Sequence, residues 1–153
     1  MNEIKNQDIH PSNARDNTEL SKMQPSEIYK VYEKGSMKYT AKFRRALWKA
    51  HDKKCAYCGD ELESYTDIHI DHFIPKAKEV NESVSNLICS CSRCNSVKRH
   101  FDIEHFKFSL AVSRSVLGGI VQPNVVKKIL DVGVDLPITV EPFHFEKLLG
   151  VTA

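Results

Sequence analysis

The sequence predicts a small α+β fold, with two short strands and a helix as its core and further helices on both sides. Three observations lead there. Cysteines recur as Cys55-x-x-Cys58 and Cys91-x-x-Cys94, with 32 residues between the two pairs. Inside and beside that interval, "DIHID" and "NLICS" have the length and patterning of strands, and "SRCNSVKRHF" then reads as a helix. On either side the apolar residues recur at helical spacing instead.

Composition limits the remaining possibilities. At 153 residues and 41% hydrophobic content, the chain can bury one modest core. No apolar run approaches the roughly 20 residues that span a bilayer, and "MNEIKNQDIHPSNARDN" lacks the apolar centre of a secretory signal. A soluble, cytoplasmic protein without a membrane partner is therefore expected. In such a reducing setting five cysteines are poor disulfide material. The odd count fits a four-cysteine metal site with Cys89 left over as a small buried residue.

In order along the chain, residues 1–24 are polar and aperiodic, which predicts a flexible tail. Residues 25–52 form an N-terminal helical region with a basic face. Its first helix is predicted in "PSEIYKVYEKG", with Ser26 as N-cap and Gly35 as the stop. In the second, Thr40 caps a stripe of Phe43, Ala46, Leu47 and Ala50 at i, i+3, i+4 and i+7, with Lys42, Arg45 and Lys49 opposite. Residues 53–101 hold the cysteine pairs and the strands. Residues 102–153 form a helical extension comprising "EHFKFSLAVSRSVL", "PNVVKKILDVG" and "PFHFEKLL".

Four thiolates around one ion make a closed tetrahedral zinc site, so Cys55, Cys58, Cys91 and Cys94 are expected to hold structural Zn²⁺. Charge supplies a second clue. From Met37 to Lys54 there are seven Lys or Arg and one Asp, a local +6 in a chain of net +2, which leaves the remainder at −4. A basic surface on a mildly acidic body suits a polyanion, because each contacted phosphate releases condensed counterions. Lys42, Arg44, Arg45 and Lys49 are the candidate nucleic-acid contacts here. Lys98 and Arg99, on the helix after the last cysteine, are two more.

Between the cysteine pairs lies "IHIDHFIPKA", in which Asp71 adjoins His72 at the end of a strand. Together with "CAYCG", "SNLIC" and "CSRCNSVK", this stretch resembles the HNH endonucleases, the zinc-stapled branch of the ββα-metal (His-Me finger) nucleases. The resemblance covers about residues 53 to 100, a third of the chain.

That resemblance implies a metal-dependent endonuclease hydrolysing phosphodiester bonds in DNA. His72 would be the general base, a role for which an imidazole is suited near neutral pH. Asp71 and Asn95 would hold a catalytic Mg²⁺ or Mn²⁺, hard ions that accept a carboxylate and an amide oxygen and keep several waters. Many family members carry histidine where this chain has Asn95. Asn86 would be the structural asparagine whose amide pins the loop between the strands, and the products would carry 5′-phosphate and 3′-hydroxyl ends.

Several neighbours are assigned blander roles. His69, His100, His105 and His144 are expected to be structural or half-exposed, and Trp48 and Tyr57 to pack around the knuckle. Two other functions fit the same residues: a non-catalytic zinc module that binds nucleic acid or protein, and an RNA-directed nuclease using the same site. Retention of Asp71, His72 and Asn95 together favours catalysis, since zinc binding needs none of them. A homodimer, or membership of a larger restriction, phage-defence or packaging complex, is compatible with this reading.

Overall fold

The computed structural model describes residues 9–152. It is a mixed helix and strand structure built from two small antiparallel sheets and six α-helices among the described residues. The helix α1, Pro25–Ile28, leads directly into β1, Tyr29–Val31, which pairs with β2, Met37–Tyr39. The predicted helix over "PSEIYKVYEKG" therefore survives for one turn only. Its Tyr-Lys-Val-Tyr alternation is better satisfied as a strand, and Lys34 and Gly35, at φ 70° and 75°, turn the chain back.

Helix α2, Ala41–Ala50, follows the sequence pattern closely. Thr40 Oγ1 accepts from the Phe43 N–H at 3.1 Å, and Phe43, Ala46, Leu47 and Ala50 are all buried. The next hairpin pairs β3, His69–His72, with β4, Leu87–Ser90, in the register His69 to Ser90, Ile70 to Cys89, Asp71 to Ile88 and His72 to Leu87. Helices α3 (Ser92–Lys98), α4 (Ile103–Arg114), α5 (Pro123–Asp131) and α6 (His144–Leu148) complete the fold.

Strand β4 is buried on both faces and divides the interior in two. Successive side chains of a strand point to opposite faces. Leu87 and Cys89 accordingly join Leu20, Ile28, Phe43, Leu47 and Ile68 against α2. Ile88 joins Tyr57, Cys55, Cys94, Phe106, Leu110, Phe143 and Phe145 on the knuckle side. Cys89 is fully buried, which matches its expected packing role.

Residues 9–24 belong to the segment whose polarity predicts a flexible tail, and they form local structure here; residues 1–8 of that segment lie outside the described residues. Short 3-10 turns form at Pro11–Ala14 and Leu20–Lys22, and Pro11 and Leu20 are buried. Arg15 donates to the carbonyls of Leu87 at 2.7 Å and Val84 at 2.9 Å, tying the segment to the edge of the second hairpin. One arginine and two buried apolar side chains are enough to dock an aperiodic stretch, a signal that periodicity does not report. Among the described residues no helix is long and apolar enough to cross a membrane.

Candidate active site

The four knuckle cysteines converge. Their sulfurs all lie within 4.8 Å of one another, with Cys58 Sγ and Cys91 Sγ at 3.8 Å. A tetrahedron with metal–sulfur bonds of about 2.3 Å has edges of about 3.8 Å. The spacing therefore fits a cluster that could hold a metal such as zinc. Backbone donors already face the sulfurs: the Cys91 N–H reaches Cys55 Sγ and the Cys94 N–H reaches Cys91 Sγ, each at 3.3 Å. Thiols this close compete for negative charge. Sulfur hydrogen bonds from neighbouring cysteines pull Cys91 and Cys55 down and push Cys58 and Cys94 up, and a dication would relieve that competition.

Beside the knuckle is an open cleft of about 290 Å³, lined by Ile70, Asp71, His72, Lys76, Asn95 and Arg99 among others. The hairpin register explains how each side chain arrives there. Asp71 sits opposite Ile88 and so faces the knuckle and α3, whereas His72, opposite Leu87, leans toward the α2 side. Asn95 lies one helical turn from Lys98 and Arg99, which places all three on one face of α3 and its C-terminal cap.

Asp71 is 8% exposed and takes two donors on the same oxygen. Tyr57 Oη donates to its Oδ2 at 2.6 Å, and Lys98 Nζ lies 2.9 Å from that oxygen. Oδ1 carries neither contact. Burial, with the Asp71 charge beside it, pushes the Tyr57 hydroxyl well above the ordinary phenol range, so it remains a donor. Among the described residues no hydrogen bond engages the Asn95 side chain, and the amide is free to turn toward a ligand in the cleft.

His72 Nε2 lies 3.0 Å from Glu82 Oε2, which also accepts from Tyr39 Oη at 3.0 Å. Lys76 pairs with the other oxygen of Glu82. Desolvation pushes the Glu82 carboxyl up, but the bonds from Lys76, His72 and Tyr39 outweigh it and hold the group at about 2. The loop that carries Glu82 is pinned by Asn86, whose buried amide accepts from Ile74 N–H at 2.8 Å and donates to Asn81 O at 2.9 Å and Ile74 O at 3.2 Å.

Residues 55–101 match the model of the HNH endonuclease family. This segment is an HNH domain. The domain belongs to a family of nucleases that use divalent metals, and both the four-cysteine cluster and the cleft described above fall inside its bounds. No curated protein matches the chain.

Within the HNH domain some expected surface residues take other positions. Lys98 is wholly buried, bonded to Asp71 and, at 2.6 Å, to the His72 carbonyl, so it braces the strand end against α3 instead of facing phosphate. Arg99 and His100 are exposed at the cleft. In the preceding helix, Lys42 pairs with Glu27, and Arg44 donates to the carbonyls of Thr66 and Ile68. Arg45 stacks over Tyr65 at 4.6 Å, and Lys49 is exposed. His69 is exposed, His105 stacks on Phe101, and His144 packs against Gly59.

Sequence reasoning missed Glu82, Tyr39 and the hydroxyl of Tyr57. Glu82 and Tyr39 sit 10 and 33 residues from His72, so no local spacing connects them. Tyr57 had a usable signal, since a phenol between the paired Cys55 and Cys58 has its ring in the core and its hydroxyl directed somewhere.

Proposed function

We propose that the protein is a metal-dependent endonuclease that hydrolyses phosphodiester bonds in DNA, with His72 as general base. The observation that carries this reading is the meeting of Asp71, His72 and Asn95 in one cleft that lies apart from the cysteine cluster. Asp71 and Asn95 would hold Mg²⁺ or Mn²⁺, since an ionised carboxylate and an unengaged amide are hard oxygen donors. When bound, such an ion supplies charge stabilisation at the scissile phosphate.

The chain's own part is proton transfer and positioning. His72 accepts one proton from a water as its oxygen bonds to phosphorus; the phosphorus–oxygen bond to the 3′ oxygen breaks, and that oxygen leaves with the electron pair and takes a proton from solvent. Lys98 holds the Asp71 carboxylate in place, through a contact within the ordinary range for an ion pair. Arg99, and Arg45 and Lys49 on the basic helix face, are exposed and suited to backbone phosphates.

The test is cleavage of supercoiled plasmid with EDTA, Mg²⁺ or Mn²⁺, with structured RNA as a parallel substrate. His72→Ala is expected to fold, keep its zinc, bind DNA and lose cleavage by about 10²–10⁴-fold, the range for a general base. Excess metal partly rescues Asp71→Ala and Asn95→Ala but not His72→Ala. Wild-type cutting by His72→Ala would remove catalysis from this cleft.

A further inference from the structure

We infer that Glu82 is the positioning residue for His72, holding it with Nε2–H toward the loop and the Nδ1 lone pair toward the cleft. This rests on the general-base reading above and deepens it. The argument is one of hydrogen-bond satisfaction. The Glu82 carboxylate meets three groups: Tyr39 Oη and His72 Nε2, each at 3.0 Å from Oε2, and the ammonium of Lys76 at Oε1. An ionised carboxylate only accepts. Tyr39 is driven further from ionisation by burial and by Glu82 itself, so it acts as a donor. His72 Nε2 must then carry its hydrogen, which leaves Nδ1 unprotonated in the neutral ring.

Among the described residues no protein group bonds Nδ1, while the ring lines the cleft. The free lone pair is therefore the one available to a water there. Without Glu82, Nε2 and Nδ1 would be exchangeable by a ring flip or a tautomer change, and half of the orientations would present a hydrogen where an acceptor is needed.

Each support of Glu82 comes from a different element. Tyr39 ends β2, which gives the first hairpin a task in the site, 33 residues before His72. Lys76 follows the Pro75 turn, and Asn86 fixes the loop through Asn81, the residue next to Glu82. The carboxylate is 29% exposed, and the His72 side chain 13%. The pair sits at the cleft wall, not on an open surface where it would be screened and mobile.

The experiment measures steady-state plasmid nicking by Glu82→Ala, Glu82→Gln and Tyr39→Phe beside the wild type and His72→Ala, with zinc content and melting temperature recorded for each. Glu82→Ala is expected to lower kcat on the order of 10²-fold, the scale of a misplaced catalytic group, with KM within about twofold because no substrate contact is lost. Glu82→Gln is expected to recover most of kcat. Its amide oxygen can accept from Nε2–H and Tyr39, while its amino end turns toward the solvent side where Lys76 can move away. Tyr39→Phe should fall between the wild type and Glu82→Ala.

A purely structural role would lower the melting temperature without moving kcat per folded molecule, and would overturn the proposal. Wild-type kcat in Glu82→Ala, or Glu82→Gln as impaired as Glu82→Ala, would overturn it as well. If His72→Ala is dead while Glu82→Ala is fully active, only the positioning role falls. If His72→Ala cuts normally, the base assignment and this inference fall together.

Discussion

The cysteine knuckle and the Asp71–His72 cleft are built from the same stretch of chain, yet they solve opposite problems. In the knuckle the sulfurs lie within 4.8 Å, two of the four cysteines are fully buried, and backbone N–H groups face the sulfurs. Every element there agrees with its neighbours. The cleft is open, one of its residues has an unengaged amide, and another has a strained backbone: Arg99 sits at φ 48°, ψ −117°. Closed sulfur sites serve folding, whereas strain and unsatisfied groups collect where a ligand is to be bound. The contrast sets a closed, buried cluster suited to holding the fold against an open cleft in which the proposed chemistry would take place.

The largest effect that could break this comparison is at the knuckle. About one zinc per chain is expected by metal analysis, and Cys58→Ser or chelation should cost several kcal/mol of folding free energy, because structural zinc supplies stability outright. Thermal denaturation followed by circular dichroism reads this directly. A zinc-free wild type that melts at the same temperature would mean that the four thiols are ordinary core residues.

A smaller effect joins the two regions. Tyr57→Phe removes the hydroxyl that reaches Asp71 and leaves the ring packed among Phe106, Phe143 and Phe145. A hydrogen bond to a charged group is worth about 1.5–3 kcal/mol. Stability should fall by about that much, zinc should stay, and more Mg²⁺ should be needed for half-maximal cleavage. Unchanged metal dependence would separate knuckle and cleft functionally.

Smallest is Arg99→Gly. Strain at this backbone conformation costs about 1–3 kcal/mol, of which glycine's extra unfolded freedom takes back about 0.5–1 kcal/mol. The variant should gain roughly 1 kcal/mol in denaturant unfolding while its DNA affinity falls and the slope of log affinity against log salt becomes shallower by about one. Loss of both stability and affinity would show that Arg99 is not strained for the sake of its side chain.

Legibility in the sequence tracked how local each signal was. Cys-x-x-Cys spacing, the Thr40 cap with its Phe43–Ala50 stripe, and the strands around Asp71 and Leu87 are set by neighbours in sequence, and each forms where the pattern places it. The first hairpin was hidden because helical and strand signals overlap in "PSEIYKVYEKG", and tertiary pairing between Tyr29 and Tyr39 decides between them. Residues 9–24 dock through Arg15 and Leu20, contacts 72 residues away in one case, which leave no periodic trace. Lys98 looked like a surface cation because charge is visible in a sequence and burial is not. Glu82 belongs to the same class, as an acidic residue in a polar loop whose importance depends on where the loop is pinned.

The buried Lys98 also fixes the electrical starting point of the cleft. Asp71 and Lys98 form a neutral pair, so a dication arriving at Asp71 alone finds no net negative charge at the protein to hold it. Under the proposed chemistry the missing charge comes from the nucleic-acid backbone. Ion and polyanion then reinforce each other by equal factors, as reciprocity of binding free energies requires. The free protein would stay largely metal-poor at modest Mg²⁺ and become loaded on contact with a strand, so that the substrate itself completes the catalyst.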